Sequence, residues 1–134
     1  NMHYLAGKFL KENLSSSDWL AIYIDAGAVP YFSGMKTVDF GALHDPYLAR
    51  SDLSSTERVD YFFAKNPAAA VFTSTSLDRI IYTPESDAIT EDPRFQNYVL
   101  SKKYPSPLNN IVSYPQLLFL RKAVFSRLKL DNNQ

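Results

Sequence analysis

The segment Leu20-Ala21-Ile22-Tyr23-Ile24 constrains this chain more than any other. Its apolar residues fill both alternating positions, Leu20, Ile22 and Ile24 on one and Ala21 and Tyr23 on the other. A strand that is apolar on both faces has to be covered on both, so the segment predicts the central strand of a buried sheet. The rest of the chain must supply the cover. Tyr4, Leu5, Phe9 and Leu14 recur at helical spacing with Lys8, Lys11 and Glu12 between them, which predicts an amphipathic helix over 3 to 14, ended by Ser15-Ser16-Ser17-Asp18.

After the strand, Asp25 can cap a short helix over 26 to 33, with Pro30 keeping it short and Gly34 free to close it in the left-handed conformation. Lys36 to Phe40 reads as a second strand, broken at Gly41. Asp45-Pro46 is an N-cap followed by a first-turn proline, opening a small helix through Tyr47 and Leu48. Ser54-Ser55-Thr56-Glu57 has capping-box spacing, and Val59, Phe62 and Phe63 give the helix behind it an apolar face until Asn66-Pro67. Ala69 to Thr73 and Arg79 to Thr83 read as strands, with a proline-bearing loop from Pro84 to Pro93. Asp92-Pro93 predicts a further helix through Phe95, Tyr98, Val99 and Leu100. A second proline-bearing loop runs from Pro105 to Pro115, and Gln116 to Arg121 is the last strand, extendable through Val124 and Phe125.

Helix and strand candidates alternate along most of the chain, so the expected fold class is α/β, a three-layer sandwich on a mostly parallel, Rossmann-like sheet to which the later strands can add an antiparallel edge. With 134 residues, 46% of them hydrophobic, the chain can bury one core, so residues 1–134 read as a single soluble domain. Fourteen basic residues cancel fourteen acidic ones, leaving no field to attract nucleic acid. No run reaches the about 18 apolar residues that a membrane span requires. The absence of cysteine excludes disulfides, thiolate metal sites and a cysteine nucleophile. Two histidines and carboxylates at unsuited spacing give no zinc pattern, so neither metal nor cofactor is expected.

Ligands of open α/β sheets favour the crevice at the carboxyl ends of the strands. Asp25, Gly27 and the stretch from Asp39 to Asp45 would lie there, although a helix cap at Asp25 and close packing at Gly27 explain those two residues more simply. Neither a G-x-G-x-x-G nor a Walker pattern is present, which argues against a dinucleotide or phosphate loop. His44-Asp45 are neighbours whose side chains would diverge, and Asp45 already serves as a cap. Ser74-Thr75-Ser76 lacks a nucleophile elbow and reads as a turn. Asp87, Glu91 and Asp92 could act as paired carboxylates but also fit a solvated loop. Lys102, Lys103, Arg121, Lys122, Arg127 and Lys129 make the last third basic, spread over separate elements.

The string D-A-G-A-V-P-Y-F-S-G at 25–34, followed by V-D-F-G-A-L-H-D at 38–45, resembles the soluble C-terminal region of bacterial GT-C type membrane glycosyltransferases. These enzymes use polyprenyl-phosphate sugars and include mannosyl- and arabinofuranosyltransferases. Gly27, Pro30, Tyr31, Gly34, Asp39, Gly41, Leu43 and Asp45 occupy the places of that pattern, with Ala42 as an additional residue; K-N-P at 65–67 and L-L-F-L-R-K at 117–122 extend it loosely. The resemblance implies that the catalytic acids lie in the membrane portion of a longer protein, leaving the catalytic residues unknown here. It implies an accessory domain on the periplasmic face of the inner membrane, joined to an upstream transmembrane region absent from this chain. Its partners would be a polyprenyl-phosphate sugar or a glycan acceptor, with Asp25, Gly27, Tyr31, Asp39 and Asp45 as substrate-binding candidates. The alternatives are a free-standing hydrolase-like enzyme using Ser74 or the acidic loop, and an interaction domain whose exposed tyrosines form an interface.

Overall fold

A computed structural model describes residues 2–23, 27–41, 45–80, 83–106 and 114–130. Among them five strands, β1 (Trp19–Tyr23), β2 (Lys36–Asp39), β3 (Ala69–Thr73), β4 (Tyr98–Tyr104) and β5 (Gln116–Arg121), form one sheet in the order β2-β1-β3-β5-β4. Among the described residues five α-helices accompany it: α1 (Met2–Asn13), α2 (Ala28–Ser33), α3 (Ser55–Lys65), α4 (Pro84–Glu91) and α5 (Lys122–Leu128). A 3-10 helix over Pro93–Asn97 precedes β4.

The apolar double face of β1 does what the sequence demands. Ala21 and Tyr23 enter one buried cluster with Val38, Phe40, Ala70, Phe72, Leu117 and Phe119, closed by Val59 and Phe62 of α3 and Ile89 of α4. Leu20 and Ile22 enter a second, with Ala69, Val71, Leu118 and Leu120, closed by Ala6 and Leu10 of α1, Val29 of α2 and Val124 of α5. Phe62 centres the first cluster, its ring 4.9–6.4 Å from those of Phe40, Phe63, Phe72, Phe95 and Tyr98. Packing of such rings adds to the transfer energy of their burial.

The sheet is mixed, which corrects the expectation of a mostly parallel one. β1 pairs in parallel with β2 and β3, whereas β5 pairs antiparallel with both β3 and β4. β4 therefore points the same way as β1, β2 and β3, and the antiparallel strand is interior. Parallel neighbours need a crossover of a dozen or more residues, usually helical, and no helical pattern lies between β4 and β5.

Local signals explain most boundaries. The capping box at Ser54 forms as expected: the Glu57 amide donates to Ser54 Oγ at 3.1 Å and the Ser54 amide to Glu57 Oε1 at 3.1 Å. Asn66 closes α3 with φ 48°, and Gly34 closes α2 with φ 67°. Asp45 caps a single turn by accepting from the amides of Tyr47 at 3.0 Å and Leu48 at 3.2 Å.

Four expectations fail. Arg79 and Ile80 lie outside any strand, and Thr83 caps α4, so Pro84 to Glu91 is a helix where a loop was expected. Ile81 and Tyr82 lie outside the described residues. Asp92 does cap at Pro93, its Oδ1 accepting from the Arg94 amide at 2.9 Å, but the helix it opens ends at Asn97. Tyr98 onward is strand because β5 offers it a full antiparallel partner, with a register shift between Leu100 and Lys102. β5 does not continue through Phe125: β3 begins at Ala69, so the sheet offers no partner past Arg121 and the chain turns into α5.

Candidate functional site at the carboxyl edge and the first helix pair

β1 leads through α2 to β2 on one side, and β2 leads through α3 back across to β3 on the other. The two crossover helices join opposite clusters, so the order reverses between β1 and β3. At such a point the loops leaving the strands diverge and open a crevice at the carboxyl ends.

The side chain at that end of β1 is Tyr23. Its hydroxyl donates to Glu85 Oε2 at 2.9 Å and accepts from Thr83 Oγ1 at 2.9 Å. Glu85 also forms an ion pair with Arg58 through its Oε1 and Arg58 Nε, both side chains 19% exposed. Arg58 Nη1 donates to the Leu48 carbonyl at 2.8 Å. Burial, with the neighbouring Glu85 carboxylate, pushes the Tyr23 hydroxyl up to about 12, so it is neutral throughout the physiological range. Beside this network lies a cleft of about 400 Å³ lined by Tyr23, Ser55, Arg58, Val59, Thr83, Pro84, Glu85 and Ala88.

The candidates read from the sequence divide over two places. Asp39 is 2% exposed at the end of β2 and accepts from the Gly41 amide at 2.7 Å. Asp45 accepts, besides its two amides, the Tyr61 hydroxyl at 3.1 Å, and Tyr61 stacks on Tyr47 with centroids 4.3 Å apart. The turn that Asp45 caps presents the Leu48 carbonyl to Arg58, which connects the sequence motif to the cleft. Gly27 stands at the cap position of α2 with an ordinary φ of −81°. Asp25 lies outside the described residues, as does His44.

Tyr31 belongs to the other place. It is 80% exposed on α2, and with Phe32 and the exposed Tyr4 and Leu5 of α1 it forms an aromatic surface. Phe32 meets Tyr4 edge-on at 5.0 Å and Tyr31 at 5.2 Å. A groove of about 460 Å³ runs along it, lined by Tyr4, Lys8, Lys11, Glu12 and Phe32. The two helices approach closely because residue 7 is glycine: a Cβ there would come 2.6 Å from Phe32 Cβ and 3.1 Å from the Val29 carbonyl oxygen.

The other groups with chemical potential are held in structural bonds or stand apart. The Ser74 hydroxyl donates to the Arg79 carbonyl at 2.8 Å and accepts from the Ser76 amide at 3.1 Å, the geometry of a turn. Asp92 is held down to about 2 by its Arg94 hydrogen bonds. Asp87 and Glu91 lie one turn apart on α4, beside a cavity of about 500 Å³ whose floor includes Ile80, Phe95, Leu100 and Phe119. Among the described residues no group of three or more His, Asp or Glu is placed to hold a metal ion, and no helix is long and apolar enough to cross a membrane.

Arg58, Glu85, Thr83 and Tyr23 were not singled out from the sequence. Thr83-Pro84 carries the same cap-then-proline signal that was recognised at Asp45 and Asp92, and it would have placed Glu85 in the first turn of a helix. Comparison with curated proteins and with solved structures finds no match. Residues 1–120 match the family described as Domain of unknown function (DUF8728), and the chain belongs to that family.

Proposed function

We propose that this domain is the extracytoplasmic accessory part of a GT-C type membrane glycosyltransferase, where it binds or positions a polyprenyl-phosphate sugar or a glycan acceptor. The observation that carries the proposal is the groove between α1 and α2, which has an aromatic wall of Tyr4 and Phe32, with Tyr31 beside it, and a rim bearing Lys8 and Lys11. The electron-rich face of an aromatic ring attracts the polarised C–H bonds on the apolar side of a sugar ring. Tyr4, Phe32 and Tyr31 are contiguous, and contiguous exposed apolar patches are often functional where singly scattered apolar residues are not. Two lysines against one glutamate along the same groove complement a phosphate, so the surface suits a sugar phosphate better than a neutral glycan.

The role is binding rather than transfer. Asp39 and Asp45 accept backbone amides and shape the edge, and the Ser74 hydroxyl is engaged in a turn. Tyr4 and Phe32 are the direct contacts in the groove, Tyr31 packs edge-on against Phe32 and extends that wall, and Gly34 closes the helix that presents them. The two buried clusters of opposite strand parity support a three-layer α/β arrangement as the scaffold.

The experiment is detection of the native polypeptide with an antibody to this domain. A product several times heavier than these 134 residues, released from membranes only by detergent, is expected. A water-soluble product of about this size would sink the glycosyltransferase reading and turn attention to hydrolase activity.

A further inference from the structure

The cleft beside Arg58 and Glu85 is not among the places that the sequence motif marks, and its chemistry differs from that of the groove. It lies at the carboxyl end of β1, on the face covered by α3 and α4, where the strand order reverses. We infer that this cleft is a second binding site, which takes a neutral polyol, namely a sugar ring of the acceptor glycan. The inference rests on the glycosyltransferase reading for the word acceptor, and on the cleft itself for the ligand class.

Charge decides the class. Arg58 and Glu85 neutralise each other in direct contact, so the cleft offers no net charge to a phosphate or an amine. What it offers is a mixture of donors and acceptors held at fixed positions. Arg58 Nη2 lies 3.5 Å from Glu85 Oε2, at the limit of a hydrogen bond, and keeps donor capacity for a ligand. Ser55 adds a hydroxyl on the same wall, and Thr83 and Tyr23 add two more that are already oriented by Glu85 and by each other. Val59, Pro84 and Ala88 supply the apolar remainder. Vicinal hydroxyls both donate and accept, so they can use the guanidinium donor and the carboxylate acceptor together, whereas an anion would face Glu85 and a cation would face Arg58. A volume of about 400 Å³ accommodates one or two sugar rings.

The polar groups are pre-organised, which lowers the cost of ordering them on binding. Arg58 is fixed at two points, through Nε by Glu85 Oε1 and through Nη1 by the Leu48 carbonyl. Leu48 belongs to the turn that Asp45 caps, so the motif acid acts on the cleft through that carbonyl.

The test is a titration of the isotopically labelled domain with methyl α-mannopyranoside and methyl arabinofuranoside, followed by backbone amide and arginine side-chain NMR signals. Shifts at Ser55, Thr83 and Arg58 Nε are expected, with Tyr31 and Phe32 unmoved. Ala88→Met fills the cleft without touching the hydrogen-bond network and should weaken binding by at least about tenfold while leaving the thermal midpoint near that of the wild type. Glu85→Gln leaves Arg58 unbalanced and should weaken the neutral sugars by a similar factor. Shifts confined to Tyr31 and Phe32 would overturn the cleft assignment and leave the groove reading standing. No shifts at all, or unchanged affinity in Ala88→Met, would also overturn it. The groove reading is decided separately, by a sugar phosphate and Tyr31→Ala.

Discussion

Gly7→Ala should destabilise this protein although alanine is the better helix former. Gly7 lies inside α1, where exchange for alanine ordinarily gains about 1 kcal/mol of helix propensity. The added Cβ, however, would stand 2.6 Å from Phe32 Cβ and 3.1 Å from the Val29 carbonyl oxygen. Unstrained carbon pairs sit at about 3.5–4.0 Å, so α2 would have to retreat by roughly 1 Å. Overpacking costs about 1–3 kcal/mol, and a Cβ–Cβ approach of 2.6 Å belongs in the upper part of that range, about 2–3 kcal/mol, which leaves a net loss of about 1–2 kcal/mol and a fall in midpoint of about 3–8 °C. Urea denaturation at unchanged m value gives the free energy. The clashing atom is a Cβ, so Phe32→Ala should not relieve the penalty, whereas Phe32→Gly should relieve most of it in a double-mutant cycle. A Gly7→Ala protein as stable as the wild type, or a penalty of the same size in the Phe32→Gly background, would refute the close-packing argument. It would also remove the reason why Phe32 is presented beside Tyr4.

Further consequences can be read at the bench. Ser54→Ala removes the hydroxyl half of the capping box at α3 and should cost about 0.5–2 kcal/mol, measured by chemical denaturation, with Ser54→Asp retaining most of it. Phe62→Ala empties the centre of the aromatic cluster and should cost about 3–5 kcal/mol; a loss under about 1 kcal/mol would mean that the cluster is not packed as described. Burial pushes Tyr23, Tyr61 and Tyr104 up to about 12 and Tyr98 further still. A folded-state pKa above the unfolded value near 10 stabilises the fold fully below pH 10 and is lost as pH rises toward 12. Their contribution should therefore be constant below about pH 10 and fall through that window, with these phenols ionising only as far-ultraviolet circular dichroism is lost; ionisation before unfolding would contradict the burial.

The elements that the sequence made legible are those with a local, self-contained cause. Ser54 and Glu57 specify their own capping box, Gly34 its left-handed turn, and the two-faced apolar run of β1 its central place. What stayed hidden depends on partners far along the chain. Tyr98, Val99 and Leu100 fit either a helix or a strand, and only the pairing with β5 decides for the strand. The antiparallel insertion of β5 between β3 and β4 leaves no local mark, because every residue from Gln116 to Leu120 is buried and the segment would look the same in a parallel strand. The cleft was invisible for the same reason: Arg58 and Glu85 are 27 residues apart, and Tyr23 joins Glu85 across 62. Tyr31 could be named from its place in the motif, but its exposure follows from how α2 lies against α1.

The central claim is that the aromatic and lysine groove between α1 and α2 holds a sugar phosphate. Saturation-transfer difference NMR with mannose 1-phosphate tests it most directly, comparing the wild type with Tyr31→Ala. The wild type should saturate the sugar ring protons, less so as added salt screens the Lys8 and Lys11 contacts, and Tyr31→Ala should reduce the effect several-fold. Equal saturation in both proteins, or none with the wild type, would contradict it.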